Sequence, residues 1–480
     1  MLDPSDRTGD LMQRLSGMDA SFLYMETPTH HMHVVGVLIL DPSTMQGGFS
    51  LDRVRSLIAS RIHLMPMLRR RLVQVPLGLS HPLWAEDPDF TLDSHIAHLA
   101  VPAPGSMQEL AEVVGGIASR PLDRRRPLWE MHVVEGLADG SAALVTKMHH
   151  ATIDGITGAD LMSHLLDLEP NAADPPPPDE EWVPDRVPSE IEVLAGAVAD
   201  RITNPLRGVR ALARTARSLL DLGRSVLPLG GDGLSPALPF TAPRTRLNAP
   251  ITGNRAVAFG QAALDDFKRI KSTFGTTVND VVLAAAAMTL RRWLLAHDDL
   301  PDRPLVAAVP VSVHGQASGG GINQVSNMFV RLPVNMDDPV RQLEAIHAET
   351  RDAKAVHNAM GADLIQHLAQ ITPPGVYNLA MRVYALPQVA GAIPPTQNLV
   401  ISNVPGPPVP LYIAGAQVKG IYPFGPLIEG SGINLTVLSN MGNMDVGVIA
   451  CPDTVPDLWQ IIDGFIAAVA ELREAADRRS

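Results

Sequence analysis

Residues Ala142-Ala143-Leu144-Val145-Thr146-Lys147-Met148 form an apolar, alternating run. Its period of two is that of a half-buried strand, in which neighbouring side chains point to opposite faces. Comparable patterns predict strands over His33–Leu40 and Trp129–Gly136, and Asp139-Gly140 supplies a hairpin turn into the 142–148 run. Later in the chain, strands are expected over Val257–Gly260, Leu305–Val311, Met328–Leu332, Leu399–Val404, Leu435–Leu438 and Asp445–Ala450. Helical spacing marks Leu51–Arg71, 156–166, Leu264–Phe274 and Val278–Ala296. Strands and helices mingle in both halves, so the expected class is α/β, or α+β layers.

Two punctuated stretches divide the chain. Asp174-Pro175-Pro176-Pro177-Pro178-Asp179-Glu180-Glu181 suits neither a helix nor a central strand, and 228–250 is dense in Gly and Pro. Between them, Glu190–Val226 has a helical composition. The expected organisation is a lobe over 1–173, a Pro-rich and helical connector over 174–250, and a second lobe over 251–480. A length of 480 residues fits two domains.

Composition narrows the classes of function. With 46% hydrophobic and 19% charged residues the chain is a folded globular protein. A net charge of −13 argues against nucleic acid as a partner, since a phosphate backbone demands a basic footprint. Cys451 has no second cysteine to pair with, fits a reducing compartment and reads as a small core or near-surface residue. The first ten residues lack the basic and apolar regions of a secretory signal, and the longest apolar run, Val281–Leu290, ends at Arg291-Arg292. It falls short of the roughly 18–20 residues needed to span a bilayer. The expected location is cytoplasmic. Over 201–226, Arg201, Arg207, Arg210, Arg214, Arg217 and Arg224 interleave with apolar residues. Such a helix suits peripheral contact with a membrane or lipid-droplet surface, each basic group contributing about 1 kcal/mol near anionic lipid. It equally suits a helix packed on the lobes with a solvated arginine face.

The strand at 142–148 runs directly into His149-His150-Ala151-Thr152-Ile153-Asp154-Gly155, an HHxxxDG string. Adjacent strand residues face apart, so the two histidines cannot chelate one metal from a regular strand. One imidazole is delivered to one face beside the Asp154-Gly155 turn, an arrangement suited to proton abstraction. His31 and His33 share a strand face but lack a third ligand of suitable spacing, so no metal site is expected. Gly319-Gly320-Gly321 lacks the context of a nucleotide-binding loop, and no GxSxG elbow is present. Thr277-x-x-Asp280 reads as a helix cap with Asn279 better placed for a ligand, although Asp280 remains a ligand candidate. Ser402 and Asn403 end a strand ahead of Pro405-Gly406-Pro407-Pro408, where a hydroxyl or amide suits a developing oxyanion. Trp129 reads as packing at the lobe interface, with substrate contact as the alternative.

Several segments together resemble one family. The HHxxxDG string matches the chloramphenicol acetyltransferase-like superfamily, and the rest resembles its bacterial wax ester synthase/diacylglycerol acyltransferase branch. Leu15-Ser16-Gly17-Met18-Asp19-Ala20-Ser21-Phe22 is similar to the family's opening segment, followed by Met32-His33-Val34-Val35-Gly36. Residues 121–130, ending Pro127-Leu128-Trp129-Glu130, resemble its PLW segment, and Thr277–Ala284 its ND motif. Ser402-Asn403-Val404-Pro405-Gly406-Pro407 resembles its SNVPGP loop. Gly321-Ile322-Asn323-Gln324 resembles its GN segment, departing from it by the inserted Ile322.

The resemblance implies two chloramphenicol acetyltransferase-like lobes with an active-site tunnel between them. It also implies His150 as general base, His149 in support and Asp154 orienting the loop through an ion pair to an unassigned arginine. Gly155 then makes the turn, and Asn279, Asp280, Ser402, Asn403 and Trp129 are the substrate-binding candidates. The implied activity is acyl transfer from acyl-CoA, a co-substrate with no cofactor, to diacylglycerol or a fatty alcohol. The alternatives are a condensation-type transferase using a carrier-protein thioester and a non-catalytic lipid-binding relative.

Overall fold

The computed structural model describes residues 13–45, 48–76, 79–152, 161–178, 180, 182–184, 186–203, 240–312, 325–360 and 394–479. In the first half the strands are β1 (Gln13–Arg14), β2 (His33–Asp41), β3 (Arg70–Val73), β4 (Leu83–Glu86), β5 (Ile96–Ala100), β6 (Trp129–Glu135) and β7 (Ala142–His149). The second half supplies β8 (Ala256–Ala263), β9 (Leu305–Ser312), β10 (Val325–Leu332), β11 (Leu399–Val404) and β12 (Tyr412–Ile413). It ends with β13 (Ala416–Phe424), β14 (Ile433–Asn440) and β15 (Asn443–Ala450). The helices are α1 (Gly17–Met25), α2 (Leu51–Arg61), α3 (Met107–Ala118) and α4 (Glu190–Thr203), then α5 (Leu264–Phe274), α6 (Val278–Ala296), α7 (Pro339–Met360) and α8 (Leu458–Arg479).

Two six-stranded sheets organise the molecule, in the orders β12-β13-β2-β7-β6-β5 and β10-β9-β11-β14-β15-β8. A small third sheet has the order β1-β4-β3. Strand β7 sits inside the first sheet, antiparallel to β2 and to β6. It is not half-buried as its pattern suggested. Ala142, Leu144 and Met148 pack with Val54, Leu57 and Ile58 of α2, while Ala143 and Val145 pack with Leu110, Val114 and Ile117 of α3. Helices on both faces therefore bury the strand on both sides. Lys147 sits within that packing fully buried, and its ammonium donates to the Ile117 carbonyl at 3.1 Å and the Arg120 carbonyl at 2.7 Å. A cation here meets carbonyls at the C-terminal end of α3 and lies 3.3 Å from a Glu130 carboxylate oxygen.

The helix expected over 51–71 ends at Arg61 and continues as short 3₁₀ turns before β3 begins at Arg70. Pro66 explains the break. It lacks an amide donor and holds Met65 out of helical geometry, at φ −125° and ψ 61°. The connector shows little regular structure over 171–178 and exposes Pro176–Pro178, as its composition predicts. Of its expected long helix, Glu190–Thr203 is formed, and 204–239 lie outside the described residues.

The boundary drawn at residue 250 does not separate the sheets. Strands β12 and β13 come from the second half of the chain yet complete the edge of the first sheet, β13 pairing with β2 from Gln417↔Asp41 to Phe424↔Val35. Their pattern was unreadable because Gly420 and Pro423 interrupt it and the register shifts between Val418 and Gly420. Asp445 of β15, in the second sheet, reaches across to this irregularity. Its carboxylate is fully buried and accepts from the Ile421 amide (2.7 Å), Asn440 Nδ2 (2.9 Å) and Gln261 Nε2 (2.8 Å). Apolar packing continues the joint, with Val35 and Val37 of β2, Val257 and Phe259 of β8, and Tyr422 and Phe424 of β13 in one cluster.

The second lobe's core lies between its sheet and α5, α6, α7 and α8. No single helix among the described residues is long and apolar enough to cross a membrane. Helices α5 and α6 pass that test only together, bent by 102°, and α6 is fully buried from Val281 to Ala287.

Replacing Asp445 by Ala strands three donors at the junction of the sheets and is expected to cost about 3 kcal/mol. Asp445→Asn, which keeps one acceptor, is expected to cost less. Chemical denaturation measures both, and an Ala variant as stable as the parent would show that the two sheets do not depend on this link.

Candidate active site

The histidine pair is positioned by main-chain hydrogen bonds. His33 of β2 and His149 of β7 are direct partners in the ladder. The His149 amide donates to the Leu128 carbonyl at 3.0 Å, and the His150 amide to the Met32 carbonyl at 2.7 Å. The chain then turns, with the Thr152 amide and hydroxyl both donating to the His149 carbonyl at 2.9 and 2.7 Å. The side chain of His149 is 1% exposed, and its Nδ1 accepts from the Ala151 amide at 3.0 Å. An accepting nitrogen cannot carry the proton, so the neutral ring is protonated at Nε2. His150 is half-buried, and its ring stacks on Phe22 of α1 with centroids 4.2 Å apart.

Helix α1 starts with Ser16, whose hydroxyl accepts from the Asp19 amide at 3.1 Å, and ends at Glu26. The Glu26 side chain, 11% exposed, lies among the histidines. One oxygen is 3.2 Å from His33 Nε2; the other is 3.7 Å from His149 Nε2, an electrostatic contact too long for a hydrogen bond. Arg124 donates to this second oxygen through Nε at 3.0 Å and through Nη2, and Nη2 also donates to the Leu23 carbonyl at 2.9 Å. Burial opposes the Glu26 charge, but the contacts with His149 and His33 and the Arg124 guanidinium outweigh it and hold the carboxyl well below its usual range. Burial likewise pushes His33 down to about 4 against the pull of Glu26, and holds fully enclosed His149 below its ordinary value. At neutral pH this is one carboxylate, one guanidinium and neutral imidazoles.

Glu26, Arg124 and Phe22 were not singled out by the sequence, and His33 was considered there only as a metal ligand. Phe22 and Arg124 fall inside segments noted above, but only the pairing of β2 with β7 carries Glu26 to His149. Arg124 is one of three consecutive arginines, among which nothing in the sequence distinguishes it from Arg125, whose side chain is 88% exposed. His33 and His31 stack on each other with centroids 5.4 Å apart, both buried.

The remaining candidates divide. Asp154, Gly155 and the 319–324 segment lie outside the described residues. Trp129 is 4% exposed, stacked on His95 at 4.4 Å, and its indole N–H donates to the Leu68 carbonyl at 2.7 Å. Among the described residues it packs in the core of the first sheet, with Val54, Leu57 and Ile58 of α2 and with Ile413 and Val418 from the second half of the chain. Asp280 closes a capping box at the start of α6, accepting from the Thr277 amide at 2.9 Å while its own amide donates to the Thr277 hydroxyl at 3.2 Å. The same carboxylate meets His347 Nδ1 at 2.8 Å and the Thr350 hydroxyl at 2.7 Å, tying α6 to α7. Both of its oxygens are occupied and the residue is 1% exposed, so among the described residues Asp280 serves helix capping and packing. Asn279 beside it is half-buried. Ser402 and Asn403 are half-buried near the end of β11, past the two residues, Leu399 and Val400, that pair with β9.

The family model of the wax ester synthase/diacylglycerol acyltransferase catalytic domain matches residues 15–282, and that of the family's C-terminal domain matches residues 322–473. A Mycobacterium tuberculosis protein carrying the name diacylglycerol O-acyltransferase is 42% identical over 97% of this chain and 91% of its own length. The chain belongs to the wax ester synthase/diacylglycerol acyltransferase family. This acyltransferase is also 38% identical to a second such M. tuberculosis protein, over 97% of both chains. Among solved structures, the wax ester synthase/diacylglycerol acyltransferase of Marinobacter aquaeolei VT8 superposes with a TM-score of 0.69 at 29% identity, covering 97% of this chain and all of that one. A condensation domain of the calcium-dependent antibiotic synthetase shares the fold at a TM-score of 0.55 and 16% identity, over 98% of both chains.

The buried histidines give the acyltransferase an acid-labile centre. His30, like His33, is pushed down to about 4 by burial, with the Arg255 charge adding to the effect. Unfolded histidines take protons below about 6.5, whereas these two resist until about 4. Between those values the unfolded state binds more protons, so stability is full above the window and falls as pH drops through it. Thermal midpoints are expected to decline from pH of about 6.5 downward. A flat profile across this window would show that the cluster is not buried in the neutral form.

Proposed function

We propose that this acyltransferase moves a fatty acyl group from coenzyme A to a lipid hydroxyl, making triacylglycerol from diacylglycerol or wax ester from a fatty alcohol. The names of its relatives support that substrate class. The observation that carries the mechanism is the setting of His150: its backbone is fixed at the end of a central strand while its ring, stacked on Phe22, stays half-buried.

His150 takes the proton from the acceptor hydroxyl, and the oxygen attacks the thioester carbonyl. The tetrahedral oxyanion collapses to the ester, the carbon–sulfur bond breaks, and the imidazolium returns its proton to the thiolate. Acyl-CoA is a co-substrate, and the sequence of steps calls for neither a cofactor nor an acyl-enzyme. Ser402 and Asn403 are the proposed oxyanion donors, and Asn279 a proposed ligand contact across the lobes, where the two acyl chains meet in an interlobe tunnel. For Asp154 and Gly155 the proposed roles, orienting and bending the histidine loop, rest on the sequence motif alone. Lipid-surface contact through 201–226 rests on the sequence pattern of arginine and apolar residues alone.

Purified protein given palmitoyl-CoA with diacylglycerol and with a fatty alcohol is expected to form triacylglycerol or wax ester on thin-layer analysis, without a carrier protein. His150→Ala is expected to lose about 10²- to 10⁴-fold in rate while keeping the parental circular dichroism. Full activity in that variant would remove His150 as the base, and dependence on a carrier-bound thioester would favour a condensation-type reaction.

A further inference from the structure

We propose that Glu26 is a positioning residue for acyl transfer, acting on His150 through His149; the inference rests on His150 being the base. The peptide bonds on either side of His150 are held by different partners. The amide of His150 itself donates to the Met32 carbonyl at 2.7 Å, and the next amide, of Ala151, donates to His149 Nδ1 at 3.0 Å. The second bond exists only while the His149 ring keeps its place and carries its proton on Nε2, the atom that faces Glu26 at 3.7 Å.

The carboxylate cannot turn away from this task. Arg124 holds the oxygen nearest His149, His33 Nε2 lies 3.2 Å from the other, and Arg124 is itself anchored on the Leu23 carbonyl. A negative charge at Nε2 favours the tautomer that leaves Nδ1 free to accept, so Glu26 selects the form that holds the Ala151 amide. The same helix serves both histidines. Phe22, one turn before Glu26, stacks on His150, so a shift of α1 moves the stacking partner and the carboxylate together. Arg124 comes from the segment that also gives Leu128, whose carbonyl receives the His149 amide.

The test compares Glu26→Gln, which keeps shape and loses charge, with Glu26→Asp, which keeps the charge. Glu26→Gln is expected to lower kcat by about 10- to 100-fold with KM for palmitoyl-CoA within about twofold, since a small misplacement of a catalytic group suffices for such a loss. Hydrogen–deuterium exchange is expected to quicken in the peptide spanning 149–153 while the β7 peptide 142–148 keeps its protection. Glu26→Asp is expected to retain more activity than Glu26→Gln.

Any of these results would overturn the proposal: an unchanged kcat in Glu26→Gln, a reduced kcat with parental exchange in 149–153, or a Glu26→Asp variant no better than Glu26→Gln. Faster exchange throughout 142–148 would show that Glu26 merely supports the fold, and would overturn it too. His150→Ala run alongside separates the two readings: if it stays active the base assignment fails, whereas the exchange response to Glu26→Gln reports on positioning independently.

Discussion

Strand β7 is hydrogen-bonded on both sides, and that constraint governs where the histidine pair can be. Pairing with β2 and β6 uses the backbone groups of the strand up to His149, and the bond from the His150 amide to the Met32 carbonyl extends the order one residue further. A buried strand with satisfied backbone groups has no low-cost alternative position, because breaking the ladder leaves polar groups without water or partner. The imidazole of His150 thus inherits the rigidity of the sheet, although it lies just beyond its end.

The halves of the chain are interlocked more than joined by a linker. β13 leaves the second lobe to lie along β2, the strand paired with β7, so a segment far away in sequence supports the sheet that carries the histidines. Asp445 marks the place where this exchange is held. Burial raises its carboxyl above the usual range, and its three hydrogen bonds favour the charged form without overcoming that cost. A buried acid of this kind is better understood as a device for fixing geometry than as a source of net stability.

Electrostatics around the site follow from burial. His30, His31, His33 and His149 are all buried and held below their ordinary pKa, chiefly by desolvation, around the single carboxylate of Glu26. Neutral imidazoles can donate and accept at chosen atoms, as the Nδ1 of His149 does toward the Ala151 amide.

The strand that ends at His149 was legible because alternation is a local signal, as were the helix over Val278–Ala296 and the Pro-rich connector. The cap at Thr277 and Asp280 was legible for the same reason, since a capping box is contained within four residues. By contrast, Glu26 and Arg124 carry no local mark, and β13 lacks a clean period because a bulge and two helix- and strand-breaking residues interrupt it. Trp129 read as a packing residue, but its partners, His95 and the Leu68 carbonyl, carry no local mark in the sequence. The sequence by itself determined most of the periodic elements and the family, and it drew attention to the histidine pair. Tertiary structure alone decided which buried charge meets His149 and which strand closes the first sheet, because those depend on contacts between residues that only the completed sheets bring within a few ångströms.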